Sequence, residues 1–110
     1  MNGDCVLVLT SGDDRDVLDK VARTLIEKRL AACCQLGAAV TSYYRWEGKI
    51  ESSPEWTMSI KTLASNVPAI SEVIEELHNY DLPELVVVPV TDGSEKYLDW
   101  VAAESDNSNM

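Results

Sequence analysis

Basic residues are scarce in this 110-residue chain: nine lysines and arginines face nineteen aspartates and glutamates, a formal charge of −10. That balance repels phosphate backbones and the anionic cytoplasmic leaflet, which makes nucleic acid and membrane surfaces poor partners. The diffuse negative field gathers cations but selects none, because selection needs converging ligands of the right type. Cysteine is also sparse. The three thiols form no C-x-x-C pair, and Cys33 and Cys34 are adjacent, so neither a zinc ribbon nor a disulfide framework is encoded. Met1-Asn2-Gly3-Asp4 carries no basic n-region, and no apolar run approaches the ~18 residues that span a bilayer. A cytoplasmic, soluble protein in a reducing compartment is the expectation. There is one histidine, His78, and no G-x-S-x-G, H-E-x-x-H or P-loop, so no nucleophile and base pair emerges and no enzymatic activity is expected.

What is present is enough for one core: 45% of the residues are hydrophobic, ordinary for a single globular domain of this length. Cys5 to Thr10 is a short continuous apolar run, which predicts a buried strand. Asp13 and Asp14 offer N-caps to a helix whose apolar stripe is Val17, Leu18, Val21, Ala22, Leu25 and Ile26, ending near Leu30. Ala31 to Gly37 and Val40 to Trp46 read as a second strand, with Gly37 marking a bulge. Gly48 supplies the positive φ of a tight hairpin, and Trp56 to Lys61 alternates apolar and polar beyond it. Pro54 predicts an edge or bulged segment between Glu51 and Pro54. A second helix starts at Ser65-Asn66-Val67-Pro68 and runs to about His78. Leu85 to Val90 predicts a fourth strand, and Ser94 caps a last helix through Tyr97, Leu98 and Val101.

The order βαββαβ plus a terminal helix is an α+β, ferredoxin-like sandwich over residues 1–104, with a disordered tail at 105–110. The continuous apolar character of strands one and four predicts that both are central. Hairpin arms of ~14 residues extend ~48 Å, against a radius of gyration of only ~13 Å for a chain of this size. The arms must therefore overhang their own domain. An overhang bearing Tyr43, Tyr44, Trp46, Ile50 and Trp56 exposes apolar surface and open edges, which implies cover by another copy of the chain.

The run Ser42-Tyr43-Tyr44-Arg45-Trp46-Glu47-Gly48-Lys49-Ile50-Glu51 resembles the hairpin signature of the divalent-cation tolerance (CutA) family. Arg29-Leu30-Ala31-Ala32-Cys33, Ile60-Lys61-Thr62, His78-Asn79-Tyr80-Asp81-Leu82-Pro83-Glu84 and Tyr97-Leu98-Asp99-Trp100 are similar to the same family in the same order. Two departures are His78-Asn79-Tyr80, where the family commonly has His-Pro-Tyr, and Thr10-Ser11-Gly12 at the end of strand one. The resemblance implies a homotrimer with hairpins packed across subunits, binding of copper or another divalent cation, and a role in metal-ion tolerance.

On that basis Cys33, a soft donor, is the first metal candidate, His78 its imidazole partner, and Glu84 a third ligand, with Glu47 an alternative carboxylate. Each has a plainer role available: a small buried thiol, a histidine at a helix C-terminus, a strand-end carboxylate and a solvated turn residue. Cys34 points to the opposite face from Cys33 in a regular strand, so the two thiols do not share one ion. Tyr43, Tyr44, Trp46, Trp56 and Trp100 are assigned to the subunit interface. The rival reading is a signalling or scaffold trimer like the nitrogen-regulatory PII proteins, though the chain lacks a Gly/basic phosphate cradle. A small acylphosphatase-like hydrolase is disfavoured by the acidic Ser11-Gly12-Asp13-Asp14 loop.

Overall fold

The computed structural model describes residues 4–108. Strand β1 (Cys5–Gly12), helix α1 (Arg15–Glu27), β2 (Cys33–Trp46), β3 (Lys49–Leu63), a 3-10 turn (Ala64–Asn66), α2 (Val67–Leu77), β4 (Val86–Pro89) and α3 (Glu95–Glu104) follow in that order. The strands form one antiparallel sheet in the order β2-β3-β1-β4, the arrangement of a ferredoxin-like α+β domain.

Helices α1 and α2 cover one face of the sheet. Leu18, Val21 and Leu25 from α1 and Ile70, Val73 and Ile74 from α2 close over Val6, Val8, Met58 and Ile60. Period-2 alternation sends Leu7, Leu9, Val86 and Val88 to the other face, where the register pairs Leu7 with Val88 and Leu9 with Val86. Helix α3 covers only one end of that face: the Lys61 ammonium lies 5.2 Å from the centre of the Tyr97 ring and donates to its hydroxyl at 3.2 Å.

The caps fall where the side-chain chemistry places them. Asp14 accepts from the amides of Asp16 and Val17 at the start of α1, and Ser94 accepts from the Tyr97 amide at the start of α3. Helix α1 stops three residues before Leu30, with Arg29 in the left-handed region (φ 55°) and the Leu30 amide bonded back to the Leu25 carbonyl. Asn66 heads α2 without capping it. Its buried amide donates to the Leu30 carbonyl, the Thr62 hydroxyl and the Ser105 carbonyl.

One expectation is corrected. Strand β4 is an edge, with β1 and β3 central, and Val86, Val87 and Val88 are exposed in the single chain. A continuous apolar run marks burial on both faces, but it does not say whether the chain itself or another copy provides the cover. The segment after α3 makes contacts back to the domain as far as Asn107. Ser105 is buried, Asn107 donates to the Asn66 side chain, and Arg29 donates to the carbonyls of Ala103 and Asp106. Residues 109–110 of the expected tail lie outside the described part.

The hairpin overhang is as long as its residue count requires. Pairing of β1 with β3 ends at Gly12 and Trp56, whereas β2 and β3 continue to Trp46 and Lys49, and the longest dimension reaches 45 Å. Pro54 falls in this overhang, where one long side of β3 has no neighbour, in keeping with a residue that has no amide to donate. The register shift sits between Leu36 and Ala39, around Gly37. A Cβ at Gly37 would come within 2.8 Å of the Thr57 hydroxyl and 3.4 Å of the Thr57 carbonyl. Gly37→Ala is therefore expected to destabilise the fold by ~1–3 kcal/mol through overpacking, and by less in a Thr57→Ala background. A double-mutant cycle by urea denaturation checks this, and equal costs in both backgrounds would refute the contact.

Candidate functional site

A groove of about 640 Å³ opens between the hairpin, from Glu55 out to Trp46, and the loop that joins α2 to β4. Its walls are built by a chain of hydrogen bonds that fastens the loop to the end of β1. Histidine 78 stands at the C-cap of α2. Its Nδ1 accepts from the Tyr80 amide at 3.0 Å, so the proton sits on Nε2, which donates to the Ser11 carbonyl at 2.7 Å. A side chain at position 12 would press on this ring, since a Cβ at Gly12 would be 3.0 Å from Nε2. Asn79 donates to Asp13 at 2.9 Å, and the Ser11 hydroxyl donates to Glu84 Oε1 at 2.8 Å. The Tyr80 hydroxyl reaches across to the buried carboxylate of Glu55 on β3 at 2.5 Å.

Burial, followed by the hydrogen bond to and charge of Glu55, pushes the Tyr80 phenol well above the usual tyrosine range. Burial likewise pushes the Cys34 thiol up to about 12, with Cys33 adding to the rise, and raises Cys5, which donates to the Leu98 carbonyl. None of these groups is a poised thiolate or phenolate at neutral pH.

The proposed ligands do not meet within one chain. Among the described residues no three histidine, cysteine or carboxylate side chains gather in a way that could hold a metal ion. Cys33 lies opposite Lys61, which pairs with Leu7, whereas His78 and Glu84 bond to Ser11, four residues further along β1. That offset is about 13 Å of strand. Both nitrogens of His78 are already engaged by backbone, so its role here is to brace the loop. Glu84 lines the groove. Cys33 and Cys34 do face opposite sides, Cys34 packing against the core.

Of the aromatics expected at an interface, Tyr43 (76% exposed), Tyr44, Trp46 and Trp100 are open to solvent in the single chain, while Trp56 packs partly against the core. Two residues of the groove escaped the sequence reading, Glu55 and Tyr80. Alternation along β3 puts Glu55 on the face away from α1 and α2, with Thr57, Ser59 and Lys61, and only the fold of the 78–84 loop buries it.

This geometry defines the class: a ferredoxin-like domain with an overhanging aromatic hairpin and a groove beside it. The family model for CutA1 divalent ion tolerance proteins matches residues 6–104. The divalent-cation tolerance protein CutA of Escherichia coli (strain E24377A) is 43% identical over 98 residues, covering 89% of this chain and 87% of that protein. Protein CutA of mouse is 46% identical over 85 residues, covering 77% of this chain but 48% of the mouse protein, so the chain spans about half the length of its mammalian relatives. The crystal structure of CutA from Xylella fastidiosa superposes with a TM-score of 0.90 at 38% identity, covering 94% of this chain and 99% of that one. The divalent cation tolerance protein of Thermus thermophilus superposes with a TM-score of 0.89 at 34% identity, covering 91% and 97%. The chain belongs to the CutA divalent-cation tolerance family.

The elevated phenol gives a signed pH prediction. A group whose pKa is higher folded than unfolded contributes stability that is complete below its unfolded value, near 10 for tyrosine, and is lost as pH rises through the folded value. Stability is expected to fall above about pH 10, and Tyr80→Phe is expected to flatten the Tyr80 share of that fall while lowering stability at neutral pH. Urea denaturation across pH 7 to 11 reads both; an unchanged alkaline slope in the variant would remove Tyr80 from the account.

Proposed function

We propose that this protein is a non-catalytic homotrimer that serves divalent-cation tolerance in the cytoplasm, with copper the best-bound ion. The observation that carries the trimer is the uncovered apolar surface: Val86 and Val88 on the open sheet face, and Tyr43, Trp46 and Ile50 on the overhang, are each 38–76% exposed. Contiguous apolar surface of this kind is normally covered by a partner. Three-fold closure turns each open face inward and gives every hairpin an equivalent neighbour.

The cation reading is supported by family membership and by the names of the bacterial relatives. The available donors are the Cys33 thiol and the Glu84 and Glu47 carboxylates, and a complete ligand set requires side chains from more than one copy. Thiolate and mixed donors rank copper above the other divalent first-row ions. His78 is left out of this set because its ring is spent on the backbone.

Sedimentation velocity tests the assembly. The wild type is expected to run as a trimer at micromolar concentration and Val88→Glu as a monomer, because a charge at that position would be buried without a partner; a monomeric wild type would end the proposal. Calorimetric titration of the reduced protein with Cu²⁺ tests the cation. Cys33→Ser and Glu84→Gln are each expected to weaken binding about tenfold or more, His78→Ala to weaken it less, by loosening the loop that carries Glu84, and affinity to fall as pH drops because binding releases ligand protons. Equal affinity in all three variants would separate copper from these residues.

A further inference from the structure

The loop that joins β4 to α3 holds the one aspartate of the chain that is followed by glycine, Asp92. The Gly93 amide donates to Oδ1 of Asp92 at 2.8 Å, so the side-chain carboxyl is folded back onto the nitrogen of the next peptide unit. Asp14 and Asp106 also accept from backbone amides, but from residues two or three positions on. Asp13 is held instead by Asn79, and Asp19 by Arg23. Both Asp92 and Gly93 are exposed. Among the described residues no backbone–backbone hydrogen bond involves residues 91–93: the ladder ends with the Val90 amide on the Cys5 carbonyl, and the Leu98 amide bonds to the Ser94 carbonyl as α3 begins.

Three conditions for attack of a backbone nitrogen on a neighbouring carboxyl carbon meet here. The two groups are already adjacent, which removes much of the entropy of bringing them together. Glycine has no Cβ to obstruct the approach and turns more freely than any other residue. The peptide unit is held by neither a helix nor a ladder, so it rotates without breaking backbone bonds, whereas Asp16, Asp19 and Asp99 lie within helices.

We infer that Asp92 is a site of isoaspartate formation in the folded protein. The Gly93 nitrogen attacks Cγ of the protonated acid. The C–N bond forms, the bond from Cγ to its hydroxyl breaks, and the hydroxyl leaves with the amide proton as water, closing a five-membered succinimide. Water then opens the ring. Cleavage between Cγ and the nitrogen restores aspartate. Cleavage between the main-chain carbonyl carbon of Asp92 and the nitrogen leaves the chain running through Cβ and Cγ, with the former main-chain carboxyl as a side group. One water is lost and one regained, so the sum is an isomerisation without change of mass. The partner that fits the product is a methyltransferase that esterifies this displaced α-carboxylate.

The site matters to the fold because Gly93 lies against α3. A Cβ there would come within 3.2 Å of Leu98 Cδ1, and the next residue, Ser94, caps the helix through the Tyr97 amide. Isomerisation inserts one carbon into the backbone just before that cap, which loosens the first turn of α3 and the bond from Lys61 to Tyr97. None of this requires a metal ion or a second copy, so it stands or falls separately from the cation-tolerance reading.

The test ages the full-length, reduced protein in its native assembly for several weeks at physiological temperature and neutral pH. Trypsin then releases peptide 62–96, which contains both Asp81 and Asp92 and excludes Asn2-Gly3, a second source of the same product. Electron-transfer fragmentation tells isoaspartate from aspartate at each position. Asp92 is expected to convert about tenfold faster than Asp81 or more, and at no less than about a tenth of its rate in the free peptide 88–96. Equal conversion at the two aspartates would overturn the inference, and so would a rate in the folded protein below that fraction. Methyl transfer from S-adenosylmethionine by an isoaspartyl methyltransferase is expected on peptide 62–96 of the aged wild type. It is expected to vanish in Asp92→Glu, whose longer side chain must close a less favourable six-membered ring; a label that persists there would refute the assignment. Asp92→Asn, which loses ammonia along the same path, is expected to convert faster than the wild type, and an asparagine that survives the incubation would count equally against the site. Hydrogen exchange on the converted fraction is expected to show faster exchange at Tyr97 and Leu98, and unchanged exchange there would overturn the effect on α3.

Discussion

The imidazole of His78, wedged between the Ser11 carbonyl and the Tyr80 amide, is the contact on which the functional face of this domain depends. It joins the end of the central strand β1 to the turn that leaves α2, two elements distant in sequence. Once that turn is fixed, Asn79 meets Asp13, Tyr80 reaches Glu55, and Glu84 meets the Ser11 hydroxyl. The geometry requires the neutral ring with its proton on Nε2, because a second proton on Nδ1 would oppose the Tyr80 amide. The close approach of Gly12 belongs to the same constraint, for the ring occupies the space a side chain there would need.

Much of this fold could be read from residue order. The caps at Asp14 and Ser94, the bulge at Gly37, the hairpin at Glu47 and Gly48 and the overhang all follow from local chemistry and counting. The position of β4 did not follow, since Val86 to Val88 announce burial without naming the surface that buries them. Nor did the packing of the segment after α3. Ser105 and Asn107 look like tail residues, and only the buried Asn66 amide and the Arg29 side chain, both distant in sequence, give them partners.

The candidate site was legible in outline and misleading in detail. Glu84 lines the groove and His78 braces the loop that carries it, while strand register holds Cys33 apart from both within one chain, which residue type cannot convey. A lone histidine beside a helix C-terminus carries the same letters whether it binds an ion or two backbone groups. Glu55 was missed because polar residues on an alternating strand point to solvent until a loop folds over them, and Tyr80 is the residue that closes that loop.

The two outer margins of the sheet differ in design yet share an effect. Strand β4 offers only four residues and ends in Pro89, while β2 is long but broken by the shift between Leu36 and Ala39. Neither presents a flat, regular row of free amides and carbonyls, so neither is a good template for adding strands without limit. Irregular margins of this kind oppose fibrous growth, and the bulge that shapes the hairpin contributes to that.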